Sequence, residues 1–288
     1  MVKWLCSAAA LLALAACNAA QAPEAETPGA PRLELSWRLE GLANPESVAL
    51  SADGGFLYVS NVNGEGAAQD GNGFISRVSL DGRLLELEWA TGLDGPKGLA
   101  LLGDTLYVAD IDDIVLIDAR SGELRARVSI EGARFLNDAA VTRQGLVLAA
   151  DSQTGRIYAM REGATEIWLE HDLLASINGL LPEPTRLVAT TMRGRLLAID
   201  YETREISVLS EGLGDADGVA ALGDGRYLVS EWPGLMHVVT PEGGFETIMD
   251  TRADEQLLND FLLVGDMLYQ PHWRPGALSA YRVVQGSP

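Results

Sequence analysis

Cysteine, lysine and histidine are scarce in this 288-residue chain, at two, two and three residues respectively. Cys6 and Cys17 both lie near the start, so the rest of the chain can form no internal disulfide, even in an oxidising compartment that would allow one. His171, His237 and His272 are scattered and no thiol accompanies them, which argues against a zinc centre. Neither a Gly-x-Ser-x-Gly elbow nor a glycine-rich phosphate loop occurs, so those routes to hydrolysis or nucleotide binding are closed. Positive charge is also in short supply: 21 Lys and Arg face 41 Asp and Glu, for a formal net charge of −20. A chain so acidic is a poor partner for nucleic acid or anionic lipid and a better one for cations. Lys97 is the only lysine after Lys3.

The longest apolar stretch, Leu5 to Ala16, follows a single lysine and is too short to span a bilayer comfortably. It reads as an export signal over residues 1–16. Leu14-Ala15-Ala16-Cys17 resembles a bacterial lipobox, which predicts lipidation of Cys17 and an anchored position in the cell envelope, with the membrane engaged through that lipid alone. Residues 17–32 form a tether rich in Ala, Pro and Glu, without apolar periodicity. Residues 33–288 are then one domain.

Six times in that domain a small-residue turn delivers a polar residue to the start of an apolar strand. The segments are Asn44-Pro45-Glu46-Ser47, Gly95-Pro96-Lys97-Gly98, Leu136-Asn137-Asp138, Ile177-Asn178-Gly179, Ala216-Asp217-Gly218 and Leu258-Asn259-Asp260. Their second residues stand 51, 41, 41, 39 and 42 positions apart, a period that predicts blades of an all-β, six-bladed β-propeller. Each repeat continues with a strongly apolar strand, then an alternating one, then a more polar one, the gradient expected from axis to rim. The sixth repeat ends without its outer strand. Leu33–Leu39 alternates and supplies it, closing the ring and removing an exposed edge.

Equivalent positions of a propeller converge on its axis. Glu46, Asn137, Asn178 and Asp217 would meet there and offer two carboxylates and two amide carbonyls, hard oxygen ligands suited to calcium. Antiparallel pairing should bring the ends of the second strands to the same mouth, among them Asp151, Glu231, Trp232 and His272. Lys97 occupies the second repeat's axial position, where it could grip a substrate carboxylate or pair with Asp110 or Asp138.

Pro45-Glu46, Arg134-Phe135-Leu136-Asn137-Asp138, Ile177-Asn178-Gly179 and Asp217-Gly218 together resemble the senescence marker protein, gluconolactonase and luciferin-regenerating enzyme family of six-bladed propellers. The likeness runs from about Leu42 to the C-terminus. It implies a divalent metal, usually calcium, on Glu46, Asn137, Asn178 and Asp217, and hydrolysis of a lactone or related ester with Asp217 as base. An arginine near the first asparagine binds substrate in that family, and Arg134 is the candidate here, although the intervening Leu136 loosens the match. The expectation is therefore a calcium-dependent hydrolase of a small lactone or ester. Asp217 or Asp138 would be the base, and Lys97, Arg134, Asp151, Glu231, Trp232 and His272 would contact substrate. The alternatives are a non-enzymatic propeller binding a small ligand or a protein at the same mouth, and a strictosidine synthase-like condensing enzyme that uses Glu231.

Overall fold

A computed structural model describes Met1 and residues 29–286. The export signal, the lipobox with Cys17 and most of the tether lie outside the described residues.

The alternating apolar runs form six four-stranded antiparallel sheets, and each sheet pairs its strands in sequence order apart from the last. The inner strands are Pro45–Leu50, Pro96–Leu102, Leu136–Val141, Ile177–Pro182, Ala216–Gly223 and the short Leu262–Val264. Second strands run Phe56–Asn61, Thr105–Asp110, Val147–Asp151, Arg186–Thr191, Arg226–Glu231 and Met267–His272. The sheets are the blades of a six-bladed propeller. In the sixth, Arg32–Glu40 pairs antiparallel with Ala277–Val284 and completes the sheet, so the ends of the domain share one blade. Trp37 of this closing strand donates from Nε1 to the Leu80 carbonyl of blade one at 2.9 Å, tying the last blade to the first.

Six apolar clusters hold the ring, one at each seam between neighbouring blades. Second strands are buried on both faces, as their continuous apolar composition requires. Outer strands such as Leu84–Leu93 and Leu124–Ser129 keep one face in solvent.

Pairing places the opening of each inner strand opposite the end of its second strand: Pro45 with Asn61, Pro96 with Asp110, Leu136 with Asp151, Ile177 with Thr191 and Ala216 with Glu231. An isolated bridge joins Leu258 to His272 in the sixth blade. The axial residues are therefore Glu46, Lys97, Asn137, Asn178, Asp217 and Asn259. The first two stand one place later than the prolines that mark their repeats in the sequence.

In the first five blades the pairing register breaks directly after that opening position. Such a bulge bends the strand and re-aims the side chain it carries. It leaves ladder groups unpaired, and in three blades a small hydroxyl on the second strand takes the freed amide. Ser47 N donates to Ser60 Oγ at 2.9 Å, Gly179 N to Thr190 Oγ1 at 2.8 Å and Gly218 N to Ser230 Oγ at 2.8 Å. Thr190 and Ser230 donate onward to the carbonyls of Asp217 and Asn259, the axial residues of the next blades. The glycines following the axial residues are required by close approach. A Cβ on Gly98 would lie 2.4 Å from the Cα of Asp138, and one on Gly179 2.4 Å from the carbonyl oxygen of Asp217.

Candidate functional site

All six axial side chains line one cavity of about 210 Å³ at the mouth where the inner strands begin. Glu46, Lys97, Asn137, Asn178, Asp217 and Asn259 form its floor, each at most 7% exposed. Phe135, Met192, Trp232 and Trp273 wall it, the two tryptophans meeting edge to face at 5.7 Å. Asn259, Phe135, Met192 and Trp273 are absent from the sequence-derived set. The repeat pattern could have found Asn259, the sixth axial position. Phe135 and the others come from connections whose direction no repeat specifies.

The loop between the second and third strands of blade one makes the first repeat longer than the rest, and it folds toward this mouth. Gly66 within it borders the cavity and accepts from Lys97 Nζ at 2.8 Å. A second carbonyl, Gly95 O, accepts from the same nitrogen at 2.9 Å, and the ammonium stands 4.3 Å from the centroid of Phe135. Lys97 thus pairs directly with neither Asp110 nor Asp138. Burial lowers its pKa to about 8, against the opposing charges of Glu46 and Asp110.

The electrostatics of the floor are unbalanced. Glu46 and Asp217 carry carboxyls raised well above the usual carboxylate range, first by burial. Like charge on Asp217 and Asp260 adds to the rise at Glu46, and Asp260 adds to it at Asp217. Glu46 Oε2, Asp217 Oδ1 and Asn178 Nδ2 are buried and make no hydrogen bond of good geometry, although the Asn178 amide stands near enough to Asp217 to offset part of that carboxyl's rise. Asn137 donates from Nδ2 to Ser152 Oγ at 3.2 Å, and its carbonyl oxygen accepts nothing from the described residues. Unpartnered buried carboxylate oxygens are costly, and a cation is the group that would satisfy them. The donor set therefore fits a hard dication. No group of three or more His, Cys, Asp or Glu side chains is disposed to hold a metal among the described residues, so any cage here must use the amides.

The other residues expected at the mouth lie elsewhere. Asp138 borders a second cavity of about 290 Å³ further along the axis, shared with Asp260, and not the mouth. Its Oδ1 accepts from Ala139 N at 2.7 Å and its Oδ2 from Leu180 N at 2.6 Å, so both oxygens are engaged in holding two blades together. Asp151 is fully buried and accepts from the amides of Arg134 and Phe135 at 2.8 and 3.3 Å. Asp110 and Asn61 act likewise on Asp94, Gly95 and Ala43. The ends of the second strands thus clamp the segment entering each of the first three blades, with side chains that bond this entering backbone and stand outside the cavity lining. Glu231 is held by His237 Nε2 at 2.7 Å and is not among the residues that line the mouth. His272 is buried and bonded through Nε2 to Ser279 Oγ at 2.9 Å. Burial, with Arg38 adding to it, depresses its pKa to about 3, so it is neutral near pH 7. Arg134 is exposed and outside the cavity lining. Of the expected contacts, Lys97 and Trp232 alone reach the cavity.

Fold and site define a six-bladed propeller with an acidic, amide-lined axial mouth. No protein-family model and no curated protein matches the chain. Among solved structures it is similar to selenomethionine-substituted virginiamycin B lyase from Staphylococcus aureus, at 12% identity over 88% of this chain and 100% of that one, with a TM-score of 0.65. A catalytically inactive form of the same lyase with quinupristin matches at 12% identity over the same shares, with a TM-score of 0.59. A chain of the nidogen/laminin complex matches at 16% identity over 77% of this chain and 92% of that one, with a TM-score of 0.61. At such identities the likeness is one of fold.

Proposed function

We propose that this protein is a calcium-dependent hydrolase of a small lactone or ester, acting at the axial mouth. The observation that carries the reading is the pair of partnerless buried carboxylate oxygens, Glu46 Oε2 and Asp217 Oδ1, in one cavity with the amides of Asn137 and Asn178. These four residues would hold the ion; Asn259, in the same floor, is a candidate fifth. Calcium bound there would supply Lewis acidity toward a carbonyl oxygen and charge stabilisation for the oxyanion. Asp217 would also take the proton of an attacking water, through the carboxylate oxygen not engaged by the ion. Lys97 anchors the Gly66 loop over the mouth. Trp232, Trp273, Phe135 and Met192 would seat an apolar portion of the substrate. With a water occupying ~30 Å³, the cavity admits a molecule of roughly seven to ten non-hydrogen atoms.

The test is hydrolysis of a panel of small lactones and aryl esters, with chelator and then with added calcium, beside calorimetric titration of calcium. Expected are calcium binding and turnover lost in Asp217→Asn with the fold retained. Calcium binding without turnover of any substrate would favour the non-enzymatic ligand-binding alternative, and unchanged turnover in Asp217→Asn would remove that residue from the chemistry.

A further inference from the structure

A cavity of about 630 Å³ is at the opposite end of the strands from the axial mouth, in the groove between blades one and two. The turns between first and second strands, Ser51 to Asp53 in blade one and Gly103–Asp104 in blade two, form part of its lining. Arg77 projects into it from the third strand of blade one.

That position is unusual within this chain's own repeats. Arg77 pairs with Tyr58 on the neighbouring second strand. The equivalent residues of the other five blades are Leu116, Ala159, Ala198, Val238 and Ala280, all apolar. A seam built from apolar side chains in five copies holds a guanidinium in the sixth. Its face is stacked on Phe56, with Cζ 4.2 Å from the ring centroid, and it stands 5.7 Å from the ring of Trp89. Nε is buried without a partner, and the group makes no hydrogen bond or ion pair with any described residue. The planar fork is therefore held by its stacking, with Nε buried and unpartnered and the terminal N–H donors bonded to no described residue.

The other charges lining the cavity sharpen the contrast. Asp53 is occupied by Ser51 Oγ at 2.7 Å and Gly55 N at 3.0 Å, and Asp104 by Arg125 at 3.0 Å. Arg120 adds a second guanidinium to the lining with no ion pair among the described residues. Each acid takes its bonds on one oxygen, and although Arg77 and Arg120 stand within Coulombic reach of Asp53 and Asp104 respectively, neither forms an ion pair with them. Stacking fixes the fork of an arginine, which suits two-point recognition of a carboxylate or phosphate.

The geometry points to a second ligand site here, for a small oxyanion carried on an apolar or aromatic body, with Arg77 as the anchor and Arg120 as the outer cation. The volume falls within the range of small-molecule sites. Phe56 and the seam beside it would receive the apolar part.

Calorimetric titration of the full chain with benzoate, phenyl phosphate and inorganic phosphate, in about 0.1 M salt, tests this. Phenyl phosphate and benzoate should bind saturably, phenyl phosphate at least several-fold tighter than inorganic phosphate. Arg77→Leu, which restores the residue of blade two, should weaken both organic anions tenfold or more while thermal unfolding stays cooperative. Arg120→Ala should weaken them a few-fold. Absence of saturable binding, or equal binding by the wild type and Arg77→Leu, would overturn the site. Inorganic phosphate binding as tightly as phenyl phosphate would overturn the apolar half of the specificity. Because the readout is at the far face, none of these results depends on turnover at the axial mouth.

Discussion

Lys97 shows how a single side chain can set the character of this mouth. It is 3% exposed, held by two glycine carbonyls and a phenyl face, and it is the one ammonium beside four carboxylates on the axis. A cation there opposes a second cation. Lys97→Met keeps the length and removes the charge, so calcium should bind several-fold tighter, a gain of ~1 kcal/mol for a partly screened pair. Calorimetry would show it, and weaker binding would mean that the ammonium is needed to hold the Gly66 loop in place. His272 offers the opposite case. Being neutral and bonded to Ser279, it should be dispensable to hydrolysis: His272→Ala is expected to cost ~1–3 kcal/mol of stability through the lost hydrogen bond to Ser279, which keeps only Arg38, and lost packing, with kcat retained. Loss of kcat without loss of stability would instead place it in the chemistry. The sequence pointed to both residues with equal force, because a polar residue at a strand end looks alike whether it faces a cavity or clamps a loop. Burial and hydrogen-bond direction separate them, and neither has a signature in a single sequence.

At the level of strands, much was legible. The period near 41 residues, the six openings and the closing strand Arg32–Glu40 all follow from alternation and turn chemistry. What could not be read was the bulge repeated behind the opening position of five inner strands. A bulge adds a residue without changing composition, yet it decides which of two neighbouring side chains reaches the axis. Asn137 reaches the mouth and Asp138 does not for this reason, although the sequence pointed to the first as a ligand and the second as a candidate base at one site. The hydroxyls that satisfy the bulges should therefore matter to the site as well as to the fold. Ser230→Ala leaves Gly218 N buried and unpaired beside Asp217, at a cost of ~1–3 kcal/mol. Chemical denaturation should show that loss, with weaker calcium binding than in a control variant of equal stability. Calcium affinity matching that control would separate the staple from the ring.

For the whole molecule, closure of the propeller forces charge onto one axis. Four carboxylates, Glu46, Asp138, Asp217 and Asp260, are brought within electrostatic reach of one another by strands about 40 residues apart in sequence. Burial raises all of them and like charge adds to the rise at Glu46, Asp138 and Asp217, while burial alone pushes Asp260, half-buried on the channel, up to about 6 against an ordinary carboxylate value of ~3.9. The sign of the pH effect follows. A carboxyl whose pKa is higher in the folded chain than in the unfolded one binds its proton more tightly when folded. Its contribution to stability is then complete below about pH 4 and is lost as the pH rises through about 6. The metal-free protein should accordingly melt several degrees lower at pH 7.5 than at pH 5, since ~1 kcal/mol corresponds to 2–4 °C in a domain of this size. A dication bound at the mouth would remove the repulsion in its ionised form and compete with protons for the same oxygens. Calcium should therefore raise the melting temperature strongly at pH 7.5 and little at pH 5, as linkage requires of a ligand that binds deprotonated carboxylates. Scanning calorimetry at both pH values, with chelator and with millimolar calcium, measures the four corners. Equal calcium stabilisation at the two pH values would show that the ion binds away from these carboxylates. A metal-free protein more stable at pH 7.5 than at pH 5 would show that the axial acids are satisfied within the fold, and the case for a cation at its centre would fail.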